Sequence, residues 1–195
     1  RSAEPGDGKR LDISRLCSAD LPPASSLFNA ATGKGYNGRI FLNGEEAGIG
    51  NANRAFGWVV EEEAAYELAA FSFGKPGDEA NPPPSWENLV ANGATGDTTL
   101  VMGMSDGGTN QVYCYIGSKQ SDGTAVDKAG LTHGRLHALR FGDGAPENRN
   151  TNIGLEKSLL GKGAGKAVTF VEPNKGTSFL RPEDGAWDPR NPNVF

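Results

Sequence analysis

Apolar positions along this chain fall in short runs of about five to eight residues, broken by Gly, Pro, Asn and Asp, a spacing that predicts strands and turns rather than long helices. Arg39 to Asn43 reads as a strand, rich in β-branched and aromatic side chains and stopped at Gly44. Ala55 to Val60 reads as a second strand, with Ala64 to Leu68 as its hairpin partner. The Glu61-Glu62-Glu63 run between them is an exposed turn, or else part of a helix over Glu61 to Ala70, because Glu, Ala and Leu are good helix formers. The clearest meander runs from Thr98 to Met104, turns at Ser105 to Asn110 and returns from Gln111 to Gly117. In the returning strand Val112, Cys114 and Ile116 alternate with Tyr113 and Tyr115, which predicts the first set on the core and the tyrosines on the other face. Gly134 to Phe141, Ala167 to Glu172 and Gly176 to Leu180 are further strand candidates, and Asn191 to Phe195 reads as the beginning of another.

The connecting pieces are equally distinct. Leu27 to Gly38 and Lys75 to Ser85 read as loops, the latter delivering Trp86-Glu87-Asn88. Leu11 to Leu16 is a short extended piece leading to Cys17, after which Pro22 and Pro23 forbid regular structure. Residues 1–10 read as flexible. Many short strands with turn signals between them mean an all-β sandwich, barrel or propeller.

Composition narrows the chemistry. The 195 residues suit one domain, and 28 glycines with 12 prolines favour short elements and many turns. A formal charge of −5 with scattered lysines and arginines excludes a nucleic-acid stripe. No apolar run approaches the roughly 20 residues of a membrane span. The chain opens on Arg1 and so reads as processed or truncated. Cys17 and Cys114 allow one disulfide, and no Asn-x-Ser/Thr sequon occurs, in keeping with a bacterial origin.

Several motifs are weak imitations. Gly161 to Ala167 lacks the spacing and hydroxyl of a phosphate loop and reads as a flexible glycine-rich loop. His133 and His137 have no neighbouring glutamate in the zinc-protease pattern, and no nucleophile elbow is present. What remains is an acid set with one thiol: Cys17, Glu45, Glu46, Glu87, Asp106, Glu183 and Asp184. Most of these sit at a strand end or in a turn. Each acidic pair alone could be a solvated turn, whereas two strand ends that both deliver acids suggest one shared polar site. Carboxylates on rigid turns suit Ca²⁺, while a thiolate beside them suits a softer transition metal such as iron.

At these residues the chain resembles the secreted bacterial PhoX-type phosphatases and their wider family of six-bladed β-propellers. Cys17, the Gly44-Glu45-Glu46 strand end, Asn53-Arg54-Ala55-Phe56, Trp86-Glu87-Asn88, the strand Gln111 to Lys119 and Arg181-Pro182-Glu183-Asp184-Gly185 occur in the family's order. The resemblance covers about Leu11 to Phe195 and implies part of a propeller, with residues 1–195 an internal piece of a longer chain. It also implies iron and calcium in the site, with Cys17 an iron ligand and Glu45, Glu46, Glu87, Glu183 and Asp184 as metal ligands. The expected function is a periplasmic or extracellular phosphoester hydrolase acting on a small phosphoester. The alternative is a non-catalytic, calcium-stabilised extracellular propeller that binds a ligand or serves as a structural module. In either case the remainder of the chain or another copy would complete the ring.

Overall fold

The short apolar runs become eleven strands in the computed structural model, which describes residues 12–47, 50–147 and 168–195. Residues 1–10 and the glycine-rich loop from Gly161 to Ala167 lie outside the described residues. β1 (Leu16–Asp20), β4 (Ile40–Glu45), β5 (Ala55–Val59) and β6 (Ala64–Glu67) pair antiparallel in the order β1-β4-β5-β6. β7 (Trp86–Ala91), β8 (Thr98–Ser105), β9 (Val112–Ser118), β10 (Gly134–Phe141) and β11 (Val168–Val171) form a second antiparallel sheet in chain order. A helical turn, α1 (Ala24–Leu27), and a hairpin of β2 (Phe28–Asn29) with β3 (Lys34–Gly35) separate β1 from β4, where sequence reading placed only a loop after Leu27. A second helical turn, α2 (Ala125–Lys128), links β9 to β10 and carries a full capping box between Thr124 and Asp127. The fold is therefore all-β; no closed ring of sheets is formed among the described residues.

The two large sheets meet where β7, the first strand of the second, lies against β1 and β4. Leu42, Ala55 and Val59 from the first sheet meet Trp86, Leu89, Val101, Tyr113 and Tyr115 from the second in one buried cluster. Glycine makes this approach possible. A Cβ on Gly44 would fall 2.5 Å from Trp86 Cβ, and one on Gly103 would fall 2.5 Å from the far edge of the indole. The Trp86 side chain thus fills a slot that exists because both strands lack side chains there.

The alternation in β9 is present, but its two faces are exchanged relative to expectation. Tyr113 and Tyr115 lie in the main core, and Val112, Cys114 and Ile116 look outward. Both phenols find buried acceptors, Tyr113 at Thr109 Oγ1 (2.7 Å) and Tyr115 at the Gly130 carbonyl (2.9 Å). Phe71 stacks on Tyr115 at 4.2 Å, and Trp86 meets Tyr113 edge-on at 5.5 Å. Large aromatic area with satisfied hydroxyls belongs inside.

Three more expectations change. Cys17 lies within β1 rather than after it, because pairing with β4 carries the strand on to Asp20. Of the two readings of Glu61-Glu62-Glu63, the exposed turn into β6 holds and the helix to Ala70 does not form: Val60–Glu62 makes a single 3-10 turn and Glu63 takes a left-handed φ of 51°. The segments Gly176 to Leu180 and Asn191 to Phe195 are not strands. Instead, the chain after Thr177 runs across the outer face of the second sheet, held at alternate positions along and just beyond β7. Asn88 Nδ2 donates to Asp184 at 2.7 Å, Trp187 Nε1 donates to the Val90 carbonyl at 3.2 Å, and Asn92 Nδ2 donates to the Pro192 carbonyl at 2.7 Å. Pro182, Pro189 and Pro192 remove the amide donors a further strand would need.

Candidate metal centre

Pairing irregularities build the site. Between β1 and β4 the register moves from Leu16↔Glu45 to Ala19↔Asn43, three residues along β1 against two along β4. Cys17 falls in this slip. Between β7 and β8 it moves from Trp86↔Ser105 to Asn88↔Met104, which makes Glu87 the extra residue. A bulge re-aims the side chain it carries and raises local twist. Here two bulges on neighbouring strands turn a thiol and a carboxylate toward each other. Glu46 follows directly after β4, with its amide donating to the Arg15 carbonyl at 2.8 Å.

The ligand atoms of Cys17, Glu46 and Glu87 lie within 4.8 Å of one another. Both carboxylates are buried, at 8% and 9% exposure, while Cys17 opens to solvent. The Glu87 hydrogen bond, then desolvation, then the two negative charges push the Cys17 thiol up to about 12. The thiol therefore keeps its proton at neutral pH unless a cation displaces it. No lysine or arginine among the described residues pairs with Glu87. Glu87 accepts from the Cys17 thiol and feels the nearby Arg181 guanidinium, and the three residues together offer one sulfur and two carboxylates to a cation. One thiolate and two carboxylates fit a transition metal such as iron, and the oxygens alone are too few for the six to eight that Ca²⁺ takes.

The other expected ligands are engaged elsewhere. Glu45, next to Glu46 but turned away from the thiol, accepts from Arg54 Nε at 3.0 Å, Arg54 Nη2 at 2.7 Å and the Arg54 amide at 2.8 Å. Burial works to raise the Glu45 carboxyl, but Arg54 and the Ser14 amide outweigh it and hold it below the usual range. Glu183 pairs with Arg181 at 2.7 Å, and Asp106 takes the same guanidinium at 2.7 Å through Nη2. Asp184 accepts from Asn88, which ties it to the residue after Glu87. Arg181 stays close enough to Glu87 for that carboxylate to contribute to its raised basicity, behind the larger effects of Asp106 and Glu183. Cys114 is a separate free thiol buried on the outer face of the second sheet, so the possible disulfide is not formed.

Arg15 and Asp20 carry roles that sequence reading did not assign. Arg15 holds Glu46, and Asp20 Oδ2 accepts the Ala91 amide at 3.1 Å, fastening β1 beside β7. Arg15, just ahead of β1 and two residues before Cys17, was the available signal.

Arg54 also makes a stability prediction. Arg54→Ala strips a 3%-exposed carboxylate of its partner and should cost about 3–5 kcal/mol in chemical denaturation at neutral pH. The loss should shrink in acid. Because the folded Glu45 carboxyl is lowered, its contribution is complete above the ordinary 4.5 and disappears as pH falls through the folded value. A loss under about 1 kcal/mol would place this pair with surface ion pairs instead.

No protein-family model, curated protein or solved structure matches the chain.

Proposed function

We propose that this chain is part of a secreted β-propeller that hydrolyses phosphoesters with iron held by Cys17, Glu46 and Glu87, and calcium bound nearby. The observation that carries the reading is the convergence of one thiol and two buried carboxylates at two strand bulges. The propeller part draws on the meander order of both sheets, which sets β1 and β7, the first strand of each, side by side. On the outer face, Met102, Cys114 and Leu139 form a second apolar cluster that the segment after Thr177 covers through Trp187.

The metal, when bound, supplies Lewis-acid charge to a phosphoryl oxygen. The chain's own residues do the rest. Cys17 gives up its proton on loading, and Glu46 and Glu87 balance the cation's charge. Arg181, near Glu87 and oriented by Asp106, presents a guanidinium to an anionic oxygen. No side-chain nucleophile is required.

The test is turnover of a chromogenic phosphomonoester by the full chain loaded with iron and calcium, compared with calcium alone. Iron-dependent turnover that is lost in Glu87→Gln is the expected result. Equal stability with calcium alone and no turnover would favour the non-catalytic, calcium-stabilised module.

A further inference from the structure

Among the described residues, the Arg15 side chain makes its polar contacts with one residue. Its Nε donates to the Glu46 carbonyl at 2.9 Å, and its Nη2 donates to Glu46 Oε1 at 2.6 Å. The Arg15 carbonyl in turn accepts the Glu46 amide at 2.8 Å. Backbone and side chain of Glu46 are thus gripped together, just past the end of β4, where no further strand pairing would hold them. Arg15 itself is largely open to solvent, at 67% side-chain exposure, against 10% for Glu46. It is also two residues before Cys17, so one short segment supplies both a ligand and the clamp on another ligand.

We infer that Arg15 is a positioning residue of the metal centre, fixing the Glu46 carboxylate so that it meets the metal through a single oxygen. This rests on the reading of Cys17, Glu46 and Glu87 as ligands. With Oε1 accepting from the guanidinium, part of that oxygen's donor capacity is taken up, which favours the second oxygen for the metal. Single-oxygen binding keeps the carboxylate from chelating and suits a compact transition-metal set over the crowded oxygen shell of Ca²⁺. The fork matters as much as the charge. A lysine ammonium at this position cannot span the carbonyl and the carboxylate with two fixed donors.

The probe is Co²⁺ added to the full chain, read as the thiolate-to-cobalt charge-transfer absorption and as a dissociation constant. The wild type should show the absorption at one cobalt per chain. Arg15→Gln should weaken binding about 10–100-fold, the usual cost of losing a group that orients a ligand, and should shift the absorption. Arg15→Lys should fall between the two. A merely structural arginine would lower the melting temperature of the metal-free chain and leave the absorption of the loaded chain unchanged. Wild-type affinity and an unshifted absorption in either variant overturn the inference, and Arg15→Lys decides it if Arg15→Gln does not fold. Absence of the absorption in the wild type overturns the ligand reading itself, and the role of Arg15 with it.

Discussion

Cys17→Ser should weaken transition-metal binding by more than about 100-fold, beyond the loss expected from any outer residue of the site. Serine is the nearest oxygen analogue of the thiol but offers no soft donor, and its hydroxyl does not ionise beside two carboxylates. The pH dependence separates this from a packing defect. In the wild type, loading expels the thiol proton, whose pKa is pushed up to about 12 by Glu87, desolvation and Glu46. Affinity should therefore rise about tenfold per pH unit through the neutral range, one proton being released per metal bound. Cys17→Ser should lose that slope. Competition against a chelator at several pH values measures both quantities. A serine variant that keeps the slope would mean that some other group delivers the proton.

Trp86→Ala should cost about 3–5 kcal/mol in denaturant unfolding, the range for removing a large aromatic side chain from a core. The indole is fully buried, sits between Gly44 and Gly103 and packs edge-on against Tyr113. Its removal leaves a void where the two sheets meet, directly beside Glu87. Gly44→Ala tests the same contact from the opposite strand, since its methyl would lie 2.5 Å from Trp86 Cβ and force β4 away from β7. Overpacking of this kind costs about 1–3 kcal/mol. The two changes share one slot and should not add. Trp86→Ala removes the indole contacts at 2.7 Å but keeps the Cβ contact at 2.5 Å, so part of the Gly44→Ala penalty should be relieved, a coupling of about 0.5 kcal/mol or more. Additive penalties would show that Gly44 is needed for some reason other than the indole.

Local pattern carried much of the fold. β4, β5, β8, β9 and β10 fall where alternation and turn residues place them, because each strand's periodicity is its own property. The side each strand buries is not. Val112 and Tyr113 alternate whichever face is covered, and only the neighbouring sheet, which fixes Tyr113 against Trp86, settles that the tyrosines go inside. β1 was hidden for a related reason. Ser18, Ala19 and Asp20 have little strand preference of their own, and pairing with β4 holds them extended.

The candidate site was legible as a list of residue types and not as a geometry. Cys17, Glu46 and Glu87 come together through two register slips, which leave no mark in the local sequence. Glu45 and Glu46 are equivalent in composition, yet adjacent residues at a strand end leave on opposite sides. One meets the thiol and the other is captured by Arg54. Glu183 and Asp106 likewise share Arg181, a competition that cannot be seen without the fold.

The most direct measurement is an X-ray absorption spectrum at the metal edge of the full chain loaded with iron. One sulfur scatterer among oxygen neighbours is the predicted first shell, and it should become all oxygen and nitrogen in Cys17→Ser. A wild-type shell with no sulfur would remove Cys17 from the centre and contradict the assignment.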